Sequence, residues 1–517
     1  MVANPMDVLI VGAGPTGLIL ALFLVKQGVR VRIIDKMSMS AETSRATVVH
    51  ARTLELYRLA GLTEKCLAQG QPAKASNIWV AGAIKGRVPL AEVGKGLTPY
   101  PFLFVLPQDI HERILNEEAE RCGINVERNT ELLNLTDHGT HVTAELRMPD
   151  GGKETCTTSY IAGCDGARSA VRNALNMEFV GDAYHHLFYV ADIEGSGPCM
   201  NNETHMNLDE ADIIGVFPYD KPGHCRLIGM VHDERVDRPE ALTLDSVGSR
   251  AIDQLNMHID KVNWFSTYRV HHRVAEHFAQ GRAFLVGDAA HIHSPAGGQG
   301  MNTGIGDAIN LSWKLASVIH GKATADLLPS YETERRAFAL KLVQTTDRVF
   351  TTLTAESVVA GIVRRRVAPL IVPLVLSIGR AREFFFRAVS QIGINYRSTL
   401  LSEGATGDVH GGDRLPWVAD ANGSDNFASF DDRIGWQVHV YGLAKGILRE
   451  WCGSTNVQLH EYEWHQDQYQ RTGLVRDAAY LIRPDTYIAV ADLVGDAKAF
   501  EEYAERNRLV FSGVAGS

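Results

Sequence analysis

Three glycines near the start of the chain have the spacing of a dinucleotide-binding loop. Gly12, Gly14 and Gly17 lie in Gly12-Ala-Gly-Pro-Thr-Gly17, and Asp35 follows shortly afterwards. The first glycine permits a tight turn, the second lets the backbone approach a pyrophosphate, and the third allows close helix–strand packing. The acidic side chain can accept hydrogen bonds from an adenosine ribose, which favours FAD or NAD over NADP at this site. The loop alone does not choose between FAD and NAD.

The elements around this loop must position it. Asp7–Val11 is a short apolar run typical of a buried parallel strand. Leu18–Gln27 is apolar nearly all round, as a buried helix would be, and Gly28 ends it. Val29–Ile34 is a second strand that leads to Asp35. The pattern predicts a βαβ unit with the glycine loop at the start of its helix.

The remaining chain predicts a mixture of strands and helices. We expect a helix over 105–122, strands over 124–163 with a hairpin at Asp150-Gly-Gly152, a mostly antiparallel sheet over 185–280, a strand over 283–286, a helix over 307–320 and helices over 328–400. The Gly- and Asp-rich stretch Gly404–Arg414 predicts a boundary. Residues 415–517 alternate strand and helix signals, as a separate small α/β domain would.

The composition disfavours several classes of protein. The chain has 517 residues, of which 45% are hydrophobic and 22% charged, the balance of a globular protein of about three domains. A net charge of -10 disfavours nucleic-acid binding. Seven dispersed cysteines without a CxxC pair predict neither a disulfide framework nor a zinc ribbon, and they fit a reducing compartment. His291 and His293 form an HxH pair, but two ligands do not make a metal site, so we expect no metal.

Two segments bear on the location of the protein. The N-terminus lacks a basic region and places the first strand where the apolar core of a signal peptide would lie, so we expect a cytoplasmic protein. Ala368–Ile378 contains two prolines and is shorter than the ~20 residues of a spanning helix, so we expect no membrane span. This segment near Pro373 and the C-terminal domain are candidate contacts for a homodimer.

Three distal segments, together with the glycine loop, resemble the class A flavoprotein monooxygenases. The segments are Ser44–Tyr57, Gly163–Arg172 and Gly287–Asn302, and they follow the family's order over nearly the whole chain. The family includes p-hydroxybenzoate hydroxylase, phenol hydroxylase and the polyketide hydroxylases. Its larger members end in a thioredoxin-like domain, and Leu481–Ala489 is similar to the characteristic strand of that domain.

The resemblance implies an α/β fold built on a Rossmann-like FAD-binding domain. That domain is expected to be discontinuous, over 1–180 and 281–330, with a mostly antiparallel substrate-binding sheet inserted over 181–280. A helical segment over 331–403 and a thioredoxin-like domain over 404–517 are expected to follow. Cys452 has no partner cysteine nearby, which predicts that the terminal domain is not redox active.

The resemblance also implies which residues hold FAD. The expected cofactor-binding residues are Gly12, Gly14, Pro15, Gly17, Asp35, Arg45, Gln108, Arg113, Asp165, Asp288, Pro295, Gly300, Met301 and Asn302. Arg168 lies in the segment that serves both FAD and the nicotinamide cofactor. Gly300–Asn302 leads into a helix whose exposed amides suit the negative charge of reduced flavin.

The implied reaction is a monooxygenation typical of secondary metabolism. There is one convincing dinucleotide fingerprint, so NADPH or NADH is expected to dock transiently against a mobile flavin. After reduction of FAD, O2 adds at flavin C4a, and the hydroperoxide delivers one oxygen atom to an aromatic, phenolic or polyketide-like small molecule. Phe217 and Tyr219, on a predicted strand, are expected to contact the substrate together with Thr47 and Pro295, and Tyr268 is a weaker candidate. No catalytic residue is assigned.

The substrate and the outcome stay open at this point. Phenol hydroxylases carry an acidic residue near the position of Thr47, so its absence here favours a substrate that is already acidic or not phenolic. Baeyer–Villiger oxidation or epoxidation on the same scaffold is an alternative to hydroxylation. A flavin-binding protein that sequesters a ligand without turnover is an alternative from another class.

Overall fold

A computed structural model describes residues 6–40, 46–208, 213–231, 242–294, 296–354, 361–420 and 423–511. The strands, numbered in chain order, are β1 Met6–Val11, β2 Val31–Ile34, β3 Val48–Val49, β4 Gln71–Pro72, β5 Ala75–Val80, β6 Ala83–Pro89, β7 Phe104–Val105, β8 Val126–Glu127, β9 Glu131–Asp137, β10 Val142–Arg147, β11 Lys153–Gly163, β12 Phe179–Ser196, β13 Thr204–Leu208, β14 Ile213–Pro218, β15 His224–Val231, β16 His258–Ala275, β17 Ala279–Gln280, β18 Ala283–Leu285, β19 His291–Ile292, β20 Glu403–Thr406, β21 Val409–His410, β22 Gln437–Tyr441, β23 Gln458–Tyr462, β24 Ala479–Ile482 and β25 Ile488–Asp492. The α-helices are α1 Pro15–Lys26, α2 Ala51–Arg58, α3 Thr63–Leu67, α4 Gln108–Arg121, α5 Ala170–Ala174, α6 Leu244–Gln254, α7 Gln299–Ile319, α8 Pro329–Thr354, α9 Ala368–Ser377, α10 Gly379–Val389, α11 Gly446–Thr455, α12 Gln466–Thr472 and α13 Lys498–Arg506.

The first sheet carries the glycine loop. Strand β1 pairs in parallel with β2 on one side and with β11 on the other, and β8 and β18 extend the parallel sheet outward. Helix α1 leaves the end of β1 and buries an unbroken apolar run, Leu18–Leu24, against the sheet and α7. The predicted βαβ unit is therefore confirmed.

An antiparallel extension widens this sheet. Strands β9, β10 and β11 pair antiparallel in sequence, and the β10–β11 turn lies at the predicted Asp150-Gly-Gly152 hairpin. Gly151 adopts a φ of 83° in this turn, a left-handed conformation that glycine takes without strain. Helix α4 follows Pro107, as the sequence predicts for residues 105–122.

The second sheet is mostly antiparallel. Its strand order is β19-β16-β12-β15-β14-β13-β5-β6, and β13 with β5 is its one parallel pair. The predicted sheet over 185–280 is confirmed, but the sheet extends beyond that range because β5 and β6, at 75–89, complete its far edge. Glu203 fixes this join, accepting hydrogen bonds from Asn77 and Arg87. Such long-range pairing leaves no local periodicity in the sequence.

The third sheet belongs to the C-terminal part of the chain and has the order β21-β20-β25-β24-β22-β23. The stretch Gly404–Arg414, where the sequence predicts a boundary, forms the β20–β21 hairpin, and β20 pairs with β25, so the third sheet begins at Glu403. A Cβ on Gly404 would lie 2.3 Å from the carbonyl oxygen of Ala491, so glycine is needed for close strand approach rather than for a linker.

Helix α7 packs against α1 and begins earlier than the sequence predicts. It starts at Gln299, eight residues before the predicted start at Asp307. The helices predicted over 328–400 are present as α8, α9 and α10 in the described part of that range. A three-stranded sheet, β3-β7-β4, lies beside the start of α7.

A buried ionic cluster ties α7 and α8 to the C-terminal sheet. Glu334 on α8 accepts hydrogen bonds from Arg483 at 2.6 Å and from Lys314 on α7 at 2.8 Å. Asp485 receives the Trp313 Nε1–H at 3.1 Å, and all of these charged groups are buried. Burial alone would raise the pKa of the Glu334 carboxyl, but Arg483 and Lys314 lower it to about 2. Burial lowers the pKa of Lys314 to about 8 despite Glu334.

Loss of one partner from this cluster should strongly destabilise the folded protein. Glu334→Ala leaves Arg483 and Lys314 without their shared carboxylate in a dry site, and we expect a loss of about 3–5 kcal/mol in the free energy of unfolding. Urea unfolding at pH 7 measures this loss. Glu501→Ala, on the exposed side of α13, should change stability by less than about 0.5 kcal/mol. Equal effects of the two substitutions would contradict this role of the cluster.

His111 predicts a pH dependence of stability. The side chain is fully buried in α4, Tyr57 Oη lies 2.8 Å from its Nε2, and burial lowers its pKa to about 4. A folded pKa below the ordinary value of about 6.5 means that the unfolded chain binds more protons between these values, so stability falls as the pH falls through this window.

We expect His111 to lower the free energy of unfolding by about 2 kcal/mol between about pH 7.5 and about pH 5. Unfolding of the wild type and of His111→Gln, which keeps a hydrogen-bonding side chain without titrating, measures this contribution. The variant should lose less stability over the same range. Identical pH slopes would show that His111 does not contribute.

Candidate active site

The glycine loop has two closely packed positions and one open position. A Cβ at Gly12 would lie 2.4 Å from the carbonyl oxygen of Cys164, and a Cβ at Gly17 would lie 1.9 Å from that of Gly12. A Cβ at Gly14 would meet nothing within 4 Å. Pro15 follows as the first residue of α1. The loop therefore leaves a cradle at the helix N-terminus, where backbone amides favour a phosphate.

Asp35 lies beside this cradle at the end of β2. Its Oδ2 accepts the amide hydrogen of Ala13 at 2.7 Å, its Oδ1 accepts that of Met37 at 2.8 Å, and the Arg128 guanidinium lies 3.6 Å away. The carboxylate thus holds the glycine loop itself, a role that sequence reasoning did not assign. Each oxygen keeps a further lone pair for a ribose hydroxyl.

Two more predicted acids lie around the same loop. Asp165 Oδ2 accepts the amide hydrogen of Ala170 at 2.6 Å and caps α5, while its Oδ1 is buried without a described partner. Burial raises the pKa of Asp165, although hydrogen bonds from Ser169 and from the Ala170 amide act to lower it. Asp288 follows β18 and is exposed. Asp165 packs next to the loop, since a Cβ on Gly12 would lie 2.8 Å from its Cα, whereas Asp288 is the exposed one of the two acids.

Asn302 clamps two loops together at the start of α7. Its Oδ1 accepts hydrogen bonds from the His50 amide and the Thr53 hydroxyl, both at 2.8 Å. Its Nδ2 donates to the carbonyl oxygens of Val48 and Gly298, both at 2.9 Å. The side chain uses its full hydrogen-bonding capacity, so it fixes the distance between the chain around residue 50 and the chain around residue 298.

Neutral histidines lie on both sides of this clamp. His50 Nε2 lies 3.0 Å from the Gly297 carbonyl oxygen, and burial lowers its pKa to about 4. His293 also has its pKa lowered to about 4 by burial, and its Nε2 has no described partner. The Gly300 Cβ position lies 4.0 Å from that nitrogen. The buried, unpartnered His293 Nε2 therefore lies next to the first turn of α7.

A buried carboxylate on α7, Asp307, connects this helix to β19 and α8. Asp307 on α7 accepts hydrogen bonds from the Gly287 amide at 3.1 Å, from His291 at 2.6 Å and from Arg335 at 2.5 Å. Burial would raise the pKa of Asp307, but Arg335 and His291 lower it. His291 is thus a partner of Asp307, and no group of three or more metal-ligating side chains occurs among the described residues.

The predicted Gln108 is joined to this site, but Arg113 is not. Gln108 at the start of α4 exchanges two hydrogen bonds with Ala46, at 3.1 Å and 3.4 Å, next to the buried Thr47. Arg113 lies on the exposed face of the same helix and donates to Gln69 at 2.6 Å. Arg45 and Pro295 lie outside the described residues.

The second sheet contributes a buried polar group that sequence reasoning missed. Arg226 on β15 is fully buried and donates to both oxygens of Asp192 on β12, at 2.6 Å and 2.7 Å. It also reaches the Ala46 carbonyl oxygen at 3.3 Å. The predicted Tyr219 donates to Asp109 on α4 at 2.6 Å, and burial raises its pKa.

Tyr219 and Arg226 thus connect the second sheet to α4 and to Ala46. Phe217, two residues before Tyr219, is half-buried on β14 opposite Arg226. The weaker candidate Tyr268 packs against Phe188 on the same sheet. An arginine within the apolar strand of His224–Val231 was the signal that could have found this group, because an isolated buried charge requires a partner.

Comparison with known proteins identifies the family. A model of the FAD binding domain matches residues 5–346. A 6-methylpretetramide 4-monooxygenase of Streptomyces rimosus is 36% identical over 415 residues, covering 78% of this chain and 72% of the relative. This chain belongs to the class A flavin-dependent monooxygenases. The resemblance that the motifs indicate is therefore confirmed.

Two further flavin monooxygenases extend the comparison. A pentachlorophenol 4-monooxygenase of Sphingobium chlorophenolicum is 30% identical over 418 residues, covering 79% of this chain and 75% of the relative. The structure of aklavinone-11 hydroxylase in a ternary complex with FAD and aklavinone superposes with a TM-score of 0.80 at 25% identity, covering 98% of this chain and all of that one. The chain is an FAD-dependent monooxygenase with a mixed α/β fold, and NAD(P)H and O2 are usual for the class.

The residues present fit an FAD molecule. The open position at Gly14 is the cradle that a Cβ would fill, and it faces the N-terminus of α1. Asp165 Oδ1 and His293 Nε2 are buried without a described hydrogen-bond partner, so each has hydrogen-bonding capacity left for a bound cofactor. Gly298, with a left-handed φ of 63°, precedes α7, which begins without a side-chain cap. A dinucleotide would meet amides at α1 and at α7.

The clamp predicts a specific loss of FAD affinity. Asn302→Asp keeps the shape of the side chain but removes both N–H donors and places a negative charge against two carbonyl oxygens. We expect FAD to dissociate with a Kd at least about tenfold higher. Quenching of flavin fluorescence on titration into the FAD-free protein measures this Kd.

Asn456→Asp, at an exposed left-handed position that ends α11, is the matched control and should leave the Kd unchanged. Far-ultraviolet circular dichroism of both variants checks that they are folded. A folded Asn302→Asp protein that binds FAD as tightly as the wild type would remove the clamp from the account of this site.

Proposed function

We propose that this enzyme inserts one oxygen atom into an aromatic, polycyclic, polyketide-like small molecule with FAD and NAD(P)H. The observation that carries the proposal is the clamped start of α7, where the helix has no side-chain cap and the buried Nε2 of His293 has no described partner. The polyketide class is supported by the relative that acts on 6-methylpretetramide and by the structure that contains aklavinone.

We propose the following division of roles among the residues. The Gly12–Gly17 loop, Pro15, Asp35, Asp165 and Asp288 hold the ADP and ribityl parts of FAD. Gly300, Met301 and Asn302 hold the isoalloxazine, and their helix amides favour negative charge on the reduced ring. When bound, FAD supplies the transfer of electrons from NAD(P)H to O2 and the activation of O2. Arg45, Pro295 and Arg113 remain predicted contacts.

The second sheet is proposed to form the opposite wall of the substrate site. Arg226 attaches this wall to the Ala46 carbonyl oxygen, and Tyr219 attaches it to Asp109 on α4. Asp109 receives the Tyr219 hydroxyl and Asp192 receives Arg226, so both carboxylates have a structural partner. Thr47 offers no carboxylate. This arrangement supports a substrate whose own hydroxyl is acidic, as in extended phenolic ring systems, rather than a simple phenol that needs a protein base.

We further infer that the C-terminal region, 404–517, is a thioredoxin-like domain without redox chemistry. The mixed sheet with β22 parallel to β23 and antiparallel to β24, covered by α11 and α13, supports this fold. Cys452 is buried, and burial raises its pKa to about 12, which suppresses the reactive thiolate. The role that remains is support of α7 through Arg483 and Asp485.

The test is NADPH consumption in air by the FAD-loaded enzyme against simple phenols, polycyclic phenols and cyclic ketones, with product mass and hydrogen peroxide followed together. We expect polycyclic phenols to stimulate consumption at least about tenfold and to gain one oxygen atom. Ring-expanded ketones would instead support Baeyer–Villiger oxidation. Bound FAD without stimulated consumption by any compound would favour the ligand-binding alternative.

Gly14→Val provides a folded control without the cofactor. Gly14 has a φ of -78°, which any residue adopts, and a Cβ there meets no neighbour, so the variant should fold. Its side chain enters the space proposed for the pyrophosphate, so FAD binding and NADPH consumption should both be lost. A variant that retains FAD would move the cofactor away from this loop.

A further inference from the structure

One surface of the molecule exposes many large apolar side chains together. It comprises residues 362–385, which include the π-helical turn Val363–Val367, helix α9 and the first part of α10, and we call it the apolar helical surface. Leu370 is 68% exposed, Leu374 65% and Phe384 78%. The other exposed members are Ile362, Val363, Val367, Ile371, Val372, Val375, Ile378 and Phe385. Contiguous exposure on this scale marks an interaction site.

Helix α9 is exposed on nearly all sides. Among its ten residues, all of them described, Pro369 is the one that is buried. The Pro369 carbonyl oxygen packs against Gly86 on β6, and Leu376 contacts the small apolar cluster around Val88. The helix is thus attached to the rim of the second sheet along one edge. A folded partner would cover a single face of the helix, whereas exposure all round suits a medium that surrounds it.

The charges around this surface are almost all positive. Residues 361–382 contain no Asp or Glu, although the whole chain has a net charge of -10. Arg366 is exposed at one end of the apolar run, and Arg380 and Arg387 are exposed at the other. An apolar segment with arginine at both ends has the charge complementarity required by a layer of anionic lipid headgroups.

We propose that the apolar helical surface docks the enzyme on an anionic lipid bilayer. Helix α9 has ten residues and a length of ~15 Å, about half of a hydrocarbon core, so it would lie in the interface with its arginines among the headgroups. No helix among the described residues is both long and apolar enough to cross a bilayer. Docking therefore requires immersion of this surface alone.

A second copy of the chain fits the surface less well. A twofold dimer brings the same patch of both subunits together. The arginines of one patch would then face those of the other, with Glu383 as the sole acid in the segment 361–387. Like charges at a buried interface oppose association, whereas anionic headgroups neutralise every arginine.

Flotation of the FAD-loaded, full-length protein with lipid vesicles tests the proposal. We expect binding to vesicles that contain phosphatidylglycerol, little binding to pure phosphatidylcholine, and release as NaCl rises from about 0.05 M to about 0.5 M. Leu370→Ser/Leu374→Ser and Arg366→Gln/Arg380→Gln should each weaken binding to the anionic vesicles at least about tenfold. All four side chains are exposed, so both variants should keep the wild-type melting temperature.

Matched controls change equally exposed side chains elsewhere. Leu443→Ser/Leu493→Ser and Arg250→Gln/Arg476→Gln should bind vesicles like the wild type. No flotation at low salt would overturn the proposal. Concentration-dependent dimerisation that Leu370→Ser/Leu374→Ser abolishes, with no flotation, would assign the surface to a second copy. Vesicle binding needs no turnover, so this result and the result for the oxygenation reaction are independent.

Discussion

The carboxylate of Glu334 meets two cations, Arg483 and Lys314, in a place that water does not reach. Three parts of the chain that are far apart in sequence share this charge balance: α7, α8 and the turn between β24 and β25. Asp485 extends the contact to α2, because its carbonyl oxygen accepts a hydrogen bond from Arg52 at 2.9 Å. Both helices that carry the loops of the active site, α2 and α7, are therefore held from the same buried turn.

Charge is distributed unevenly around the active site. Behind the start of α7, Asp307 is balanced by Arg335 and receives His291, so the charged groups are satisfied before any ligand arrives. At the front, the clamp consists of neutral groups, because Asn302 carries no charge and burial keeps His50 and His293 unprotonated at neutral pH. The amides at the helix start favour negative charge, and the flavin ring that we propose to lie there gains such charge on reduction.

Much of this organisation could be predicted from local sequence. The apolar run before Gly12, the buried helix after it and the second strand have periodicities that specify a βαβ unit without tertiary information. The same is true of α4 after Pro107 and of the Asp150-Gly-Gly152 turn. The family resemblance placed Gln108, Asp165 and Asn302 in the site region. The structure places Asp165 next to the glycine loop, Asn302 in the first turn of α7 and Gln108 against Ala46.

What could not be predicted depends on contacts between distant residues. Gly404 lies in a Gly- and Asp-rich stretch of the sequence, yet it is a strand residue whose missing Cβ allows the close approach of Ala491. Tyr219 has the sequence context of a pocket wall, but its hydroxyl is taken by Asp109 from another element. Arg226 was missed because its partner, Asp192, lies on a neighbouring strand. Pairing of this kind is decided by sheet register, which composition does not record.

The anchoring turn at Arg483 also bears on how the protein can be divided. The region similar to other FAD binding domains ends at residue 346, well before Arg483 and Asp485 of the buried cluster. A fragment cut at that point would expose Glu334 and Lys314 and would leave α2 and α7 without their common support. The region that matches the family and the region that must fold together therefore differ. The C-terminal region cannot be exchanged as an independent module without supplying a new partner for Glu334.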